Sequence, residues 1–471
     1  MTKRKIFTTL TIMVALAAAA DTLAAQGGDP AKSARSSDTK SSPPPRDSKA
    51  PSERKRSSPK PNQGRVTRQS SQRSSVVSVP QHKARGKQIS NQEKHAEAGP
   101  VQRETARLRP GNAEQINNLG DALYSQKRYG EAETHFRDAL RLEPNNSDYH
   151  YNVAAALAEQ KKFAEAEAYY RNAARLSPNN ASRQIGVGNA FYSQGRFAEA
   201  EGYYREAVHL QPGNAEYNNR LGDALYYQEK YSEGESQYRE AIRIEPQNSD
   251  YNNNLGAALR EQKKYVEAER YFREAVRLSP NIASRRNNLG DALYNQQKYS
   301  EAESQFREAI RIEPQDSDLN YNLAGALYKQ KKYVEAEPYF REAVRLSPSA
   351  VRHNNLGDAL YYQQKYAEAE SQYREAVRLK PDNSAYNNNL GAALREQKKY
   401  VEAEPYFREA VRLSPTNAGV HNNLGNALYN LQKYTEAASH LREAVRLDPN
   451  NAKYQTDLKR IPNSKPSLRK S

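Results

Sequence analysis

The stretch GNAEQINNLGDALYSQKRYGEAETHFRDALRLEP, residues 111–144, decides how the whole chain is built. Within it Ile116, Leu119, Gly120 and Leu123 stand at i, i+3, i+4 and i+7, one face of a helix. A break follows at Lys127-Arg128. Ala132, Phe136, Ala139 and Leu140 then mark a second helix of the same period. Pro144 ends it, because proline cannot continue the hydrogen-bond ladder and pushes its predecessor out of the α region. Prolines recur every 34 residues from Pro110 to Pro348 and, after one deletion, at Pro381, Pro415 and Pro449. Ten full repeats therefore fill residues 111–449. A unit recurring at this period cannot bury its own apolar face, so neighbours must stack.

Column by column, the repeats specify their packing. The positions of Ala122 and Ala139 are alanine in all ten copies, which lets helices approach closely. The aromatic column Tyr129, Phe163, Phe197, Tyr231, Tyr265, Tyr299, Tyr333, Tyr366, Tyr400 and Tyr434 reads as the wedge between the two helices. Glu133 and Arg137 stand i, i+4 in the favourable order, a pair kept in nine of ten copies. At ~0.2–0.5 kcal/mol each, such pairs read as a solvated outer face. Pro338 and Pro405 fall near the first turn of a second helix, where amide donors are free and the helix need not break.

These residues resemble the tetratricopeptide repeat (TPR) family. Its spacing of a large residue, Leu-Gly, an aromatic or Leu, then Ala, Phe and Pro is matched by Ile116, Leu119, Gly120, Leu123, Ala132, Phe136 and Pro144. The departure is the large first position, which becomes His150, Gln184, Asn218, Asn252, Arg286, Asn320, His353, Asn387 and His421 in later copies. That loss of apolar surface should loosen the packing between repeats. The resemblance implies an all-α solenoid, antiparallel helix pairs stacked in a right-handed superhelix. The segment Glu97 to Pro110 aligns with the second half of a repeat and reads as a degenerate half-repeat at residues 97–110; Ala452 to Ile461 reads as a final solvating helix stopped by Pro462.

The stripe opposite the core face carries the candidate site. In proteins of this family that side of the first helix lines a concave groove that takes extended peptides. Here it holds an asparagine ladder: Asn118, Asn152, Asn254, Asn288, Asn322, Asn355, Asn389 and Asn423, with Asn117, Asn253, Asn287 and Asn388 beside it. Gly186 and Arg220 interrupt the series. Amides can both donate to and accept from a peptide backbone. Tyr124, Tyr226, Tyr294 and Tyr361 would add apolar area with a polar tip. Two readings of the ladder stand side by side: a ligand-binding row, or hydrated asparagines inherited through recent duplication of a two-repeat unit. Asparagine is a poor helix former, so paired asparagines ask for compensation. Acidic residues outnumber basic ones on this stripe, and Asp121, Asp223, Asp291 and Asp358 recur against Arg220, Arg260, Lys329 and Arg395. A neutral or basic extended segment is the better guest, and the chain's own basic linker is one candidate.

The ends differ from the body. Lys3, Arg4 and Lys5 precede an apolar run from Ile6 to Ala20 and small residues to Ala25, the layout of a signal peptide over residues 1–25, either cleaved or kept as an anchor. Residues 26–96 are rich in Ser, Pro, Lys and Arg, with 16 basic and 5 acidic side chains, and cannot bury enough surface to offset chain entropy. They read as a disordered basic linker. Residues 450–471 form a second basic arm. The net charge of +16 thus belongs to the ends, and residues 97–449 come to about −2. That disfavours nucleic acid, which asks for a basic stripe on the folded surface. Zero cysteine excludes disulfides and thiolate metal sites. The histidines show no metal-ligand spacing, no glycine-rich phosphate loop occurs, and no cofactor or catalytic constellation is expected. The chain reads as a non-enzymatic scaffold, exported to a periplasmic or secreted location, that binds a protein or peptide in its groove. The alternative is an envelope-associated adhesin or assembly factor whose basic arms grip an anionic cell wall or membrane.

Overall fold

The computed structural model describes residues 112–461. The expected signal segment, linker, half-repeat and Pro462 lie outside the described residues. Within them run ten helix pairs and a final helix, Ala452–Lys459. Every first helix has 13 residues and every second helix 14, from Ala113–Ser125 and Tyr129–Leu142 to Ala418–Asn430 and Tyr434–Leu447. Each helix packs against its partner and against the next pair, giving the all-α solenoid that the family resemblance implies.

The punctuation is local chemistry. Asn146, Asn180, Asn214, Asn248, Asp316, Asn383 and Asn417 sit at N-caps and accept from backbone amides of the first turn. The break at Lys127-Arg128 is a Schellman turn: the Lys127 amide donates to the Tyr124 carbonyl at 2.8 Å and that of Arg128 to the Leu123 carbonyl at 2.9 Å. Lys127 accordingly adopts φ 62°, and its equivalents through Gln432 share that left-handed conformation, although only Gly195 among them is glycine.

The wedge lies one column away from where the periodicity alone places it. Tyr129 and its equivalents are only half-buried, at the start of the second helix. The fully buried aromatic is Phe136, followed by Tyr170, Tyr204, Tyr238, Phe272, Phe306, Phe340, Tyr373 and Phe407. A Cβ on Gly120 would stand 2.5 Å from Phe136, so the glycine is what admits the ring. Both columns are aromatic, and period alone gives the face of a helix but not the depth of a side chain.

The polar first position is also not a loose spot. Asn218 donates to the Asn214 carbonyl at 2.9 Å and that of Pro212 at 3.2 Å, and Asn252, Asn320 and Asn387 repeat the arrangement. Gln184, His150 and His421 reach the equivalent proline carbonyl. A buried side chain here pins the preceding loop. Pro338 and Pro405 lie inside continuous helices, as the sixth residue of each rather than in the first turn. The acceptor that proline leaves without its ladder bond belongs to Val334, whose side chain is exposed, where water can serve it.

Glu133 and its equivalents are not a solvated face. Glu303, with its side chain 12% exposed, accepts from Arg307 in its own helix and from Gln330 and Lys332 of the next repeat, each at 2.9 Å. The same bracket recurs at Glu235, Glu337 and Glu370. At Glu337 these donors outweigh the cost of burial and hold the carboxylate down at about 2. Each bracket joins one repeat to the next. The final helix closes the far end, with Tyr454 buried and Asp457 accepting from Asn426 at 2.8 Å.

Candidate functional site

The asparagine ladder sits where adjacent first helices meet, and its amides bond one another. Asn152 donates to the Asn117 carbonyl oxygen at 2.9 Å, Asn254 to Asn219 at 3.0 Å and Asn288 to Asn253 at 2.8 Å. Asn322 donates to Asn287 at 2.9 Å, Asn389 to Asn354 at 3.0 Å and Asn423 to Asn388 at 2.9 Å. Each bond spans 35 residues, one repeat plus one position. Here is the compensation that paired asparagines require: the two columns are halves of one inter-repeat tie. Asn355 meets Tyr321 instead, donating to its hydroxyl at 2.5 Å. At Gly186 the amide is absent because Tyr151 and Tyr170 fill the space. Asn118, in the first described repeat, is exposed.

Exposure sorts the predicted residues into two groups. Asn117, Asn253, Asn254, Asn287, Asn322, Asn355, Asn388 and Asn423 are buried, as is Tyr294. Asn152, Asn288, Asn389, Tyr124, Tyr226 and Tyr361 are half-buried and form the accessible part of the stripe. The tyrosines share a pattern across the repeat boundary: Tyr124 donates to Glu159 at 3.4 Å, Tyr226 to Glu261 at 3.4 Å and Tyr361 to Glu396 at 3.3 Å. Tyr294 faces the position of Lys329 rather than a glutamate, and its hydroxyl finds no hydrogen-bond partner among the described residues.

The recurring aspartates are not equivalent. Asp223 accepts from the Tyr238 hydroxyl at 2.8 Å and from Asn219 and Asn254 at 3.3 Å. Asp358 accepts from Tyr373 at 2.7 Å and from Asn354 and Asn389. Burial nevertheless pushes the Asp358 carboxyl up to about 7 against those donors. Asp291 has lost the tyrosine, since the wedge of its repeat is Phe306. It is fully buried, Arg260 approaches one oxygen at 3.4 Å, and the other has no partner among the described residues. Burial pushes this carboxyl up to about 7, with the Arg260 charge opposing. Sequence reading placed Arg260 on the stripe but could not see that Glu261, at 2.7 Å, and Asp291 already hold it.

Among the described residues no cluster of three or more His, Asp or Glu side chains has metal-binding geometry, and no helix is long and apolar enough to cross a membrane.

Three tetratricopeptide repeat profiles match residues 316–382, 354–418 and 394–461. A profile for the C-terminal domain of cilia and flagella-associated protein 70 matches residues 80–321. No curated protein matches the sequence. Among solved structures, the chain is similar to YrrB, described as a TPR protein with an unusual peptide-binding site, at 23% identity and TM-score 0.36, over 41% of this chain and 97% of that one. It is similar to Pseudomonas aeruginosa pilF at 23% identity and TM-score 0.40, over 47% of this chain and 97% of that one. It is similar to MamA of Desulfovibrio magneticus RS-1 at 20% identity and TM-score 0.35, over 36% of this chain and 96% of that one. With its ten stacked helix pairs and its matches to the repeat profiles, the chain belongs to the tetratricopeptide repeat family, whose members serve as protein–protein interaction scaffolds.

Proposed function

We propose that the chain is a non-enzymatic scaffold, exported from the cytoplasm, that holds an extended protein segment of neutral or basic character along the stripe of its first helices. The observation that carries this reading is the state of the half-buried amides. Asn152 and Asn288 are each tied through one N–H, which fixes their orientation while leaving the carbonyl oxygen outside the tie. Fixed amides lose little freedom on engaging a peptide backbone, which favours binding. The glutamates Glu159, Glu261 and Glu396, gathered beside Tyr124, Tyr226 and Tyr361, favour a guest without net negative charge. Fluorescence anisotropy with short labelled acidic, neutral and basic peptides tests it. Neutral or basic peptides bind, and the triple variant Asn152→Ala, Asn288→Ala, Asn389→Ala weakens them about tenfold or more, as lost hydrogen bonds of about 0.5–1.5 kcal/mol each require. Equal binding of all three charge classes, or an unchanged affinity in the variant, refutes it. Export is tested separately, by fractionation and N-terminal sequencing of the mature chain.

A second reading is favoured by one sequence observation, the concentration of 16 basic side chains in residues 26–96. It makes the basic arm an anchor to an anionic wall or membrane and the solenoid a spacer. Association with anionic vesicles that collapses at high salt and needs residues 26–96 supports it. Salt-independent association argues for the groove instead.

A further inference from the structure

The last repeat joins two histidines. His421 stands near the start of the first helix and His440 in the middle of the second, with their Nδ1 atoms 3.1 Å apart. The rings meet edge to edge, with centroids 5.3 Å apart and planes tilted by 31°. The other nitrogen of His421, Nε2, lies 3.0 Å from the Pro415 carbonyl oxygen. A carbonyl only accepts, so Nε2 carries the proton and the Nδ1 lone pair points at His440. In the metal-free pair, His440 Nδ1–H supplies the bridging proton.

We propose that His421 and His440 form a two-imidazole binding site for a divalent zinc- or copper-type ion that takes the place of this bridging proton. Three features carry it. First, nitrogens 3.1 Å apart subtend about 98° at an ion with bonds of about 2.05 Å, between the tetrahedral and square-planar angles, and imidazole is a good ligand for both metals. Second, the Nε2–H to backbone carbonyl bond of His421 is the support that a metal-bound imidazole uses to fix its tautomer and raise its basicity. Third, His421 is buried and held, while His440 is half-exposed. Such an ion lies about 41° off the line joining the two nitrogens, so both rings turn to converge their lone pairs on it, and solvent completes the coordination. The charged groups around His440 are Arg408, Glu436 and Glu443. Arg408 is paired with Glu436 at 2.5 Å and Arg446 with Glu443 at 2.6 Å, so both cations are partly neutralised. The bound ion would clip the first helix of the last repeat to the second.

The repeats themselves supply conservative variants. The His421 position is Gln184 in the third repeat, where it reaches the equivalent proline carbonyl, so His421→Gln keeps the loop pinned. The His440 position is Gln372 in the eighth repeat, where it meets His353 at 2.9 Å, so His440→Gln restores a contact the fold already uses. The test is calorimetric titration of the full chain with zinc chloride at pH 7.5, with copper(II) electron paramagnetic resonance as the second probe. Expected are one site per chain, affinity reduced at least tenfold in either variant, and a two-nitrogen copper spectrum that both variants lose. Absence of a site, or the same affinity and spectrum in wild type and variants, overturns the proposal; the second outcome assigns the metal to the other six histidines.

Discussion

Replacing Asp291 with asparagine should stabilise the chain above neutral pH and leave it little changed in acid. The side chain is fully buried, one oxygen lacks a partner, and burial pushes its carboxyl up to about 7 from an ordinary value of 3.8. A raised folded value means that the folded state holds this proton over a range where the unfolded chain has released it. The protein therefore loses stability as pH rises from about 4 to about 7, and the loss is complete above that. Each pH unit is worth about 1.4 kcal/mol, so the whole window amounts to at most about 4 kcal/mol. Asparagine carries no such cost, and this position is already asparagine at Asn189 and Asn426. Arg260 keeps its bond to Glu261. The assay is urea unfolding of wild type and Asp291→Asn from pH 4.5 to 8.5, with hydrogen exchange reporting on the sixth and seventh repeats because a solenoid need not unfold in one step. Taking the difference cancels other titrating groups, Asp358 included. The advantage of the variant should open between pH 5 and 7 and then hold constant. Phe306→Tyr should capture part of the same gain at pH 8, by restoring the hydroxyl that Tyr238 gives Asp223. Parallel curves across the window, or a variant less stable at pH 8, would refute the reasoning.

Three further outcomes follow from the packing. Glu303→Ala removes the bracket on Arg307, Gln330 and Lys332 and should cost about 2 kcal/mol, read as a lower urea midpoint, whereas an exposed i, i+4 pair would cost under about 0.5. Phe272→Ala empties the wedge against Gly256 and should cost about 3–5 kcal/mol, with faster amide exchange in the fifth repeat and its neighbours first. Lys263→Gly relieves a residue at φ 61° and should gain about 0.5 kcal/mol, the part of a left-handed penalty of about 1–2 kcal/mol that survives the added freedom of glycine in the unfolded chain, seen as a small rise in Tm.

Much of the fold was legible because it repeats. Pro144 and its equivalents gave the boundaries, and Leu119, Gly120 and Phe136 gave the family. The misplaced wedge came from depth, which a period does not encode, and the misread polar columns came from contacts that cross between repeats. Glu133 and Arg137 look self-sufficient within one helix, yet Gln160 and Lys162 of the next repeat complete the bracket at separations of 27 and 29 residues. Asn117 and Asn152 look like two independent columns until their spacing of 35 is recognised as a bond. The buried position of Asp291 was illegible for a related reason. Its open oxygen traces to Phe306, fifteen residues later, which lacks the hydroxyl that Tyr238 and Tyr373 carry in the fourth and eighth repeats.

Three junctions in the array, between the second and third, fifth and sixth, and seventh and eighth repeats, carry an ion pair across the first helices: Asp148 to Arg183, Asp250 to Arg285, and Asp318 to Arg352 at 2.5 Å. An acidic repeat is thus followed by a basic one. Excising the seventh repeat alone would bring the arginine of the sixth beside that of the eighth, whereas excising the sixth and seventh together leaves the aspartate of the fifth facing Arg352. Over the fifth to eighth repeats, loss by unequal recombination therefore keeps the pair only when two copies go together. Between the second and sixth repeats the matching step is three, since losing the third to fifth leaves Asp148 facing Arg285, so the tolerated change in reach differs along the array.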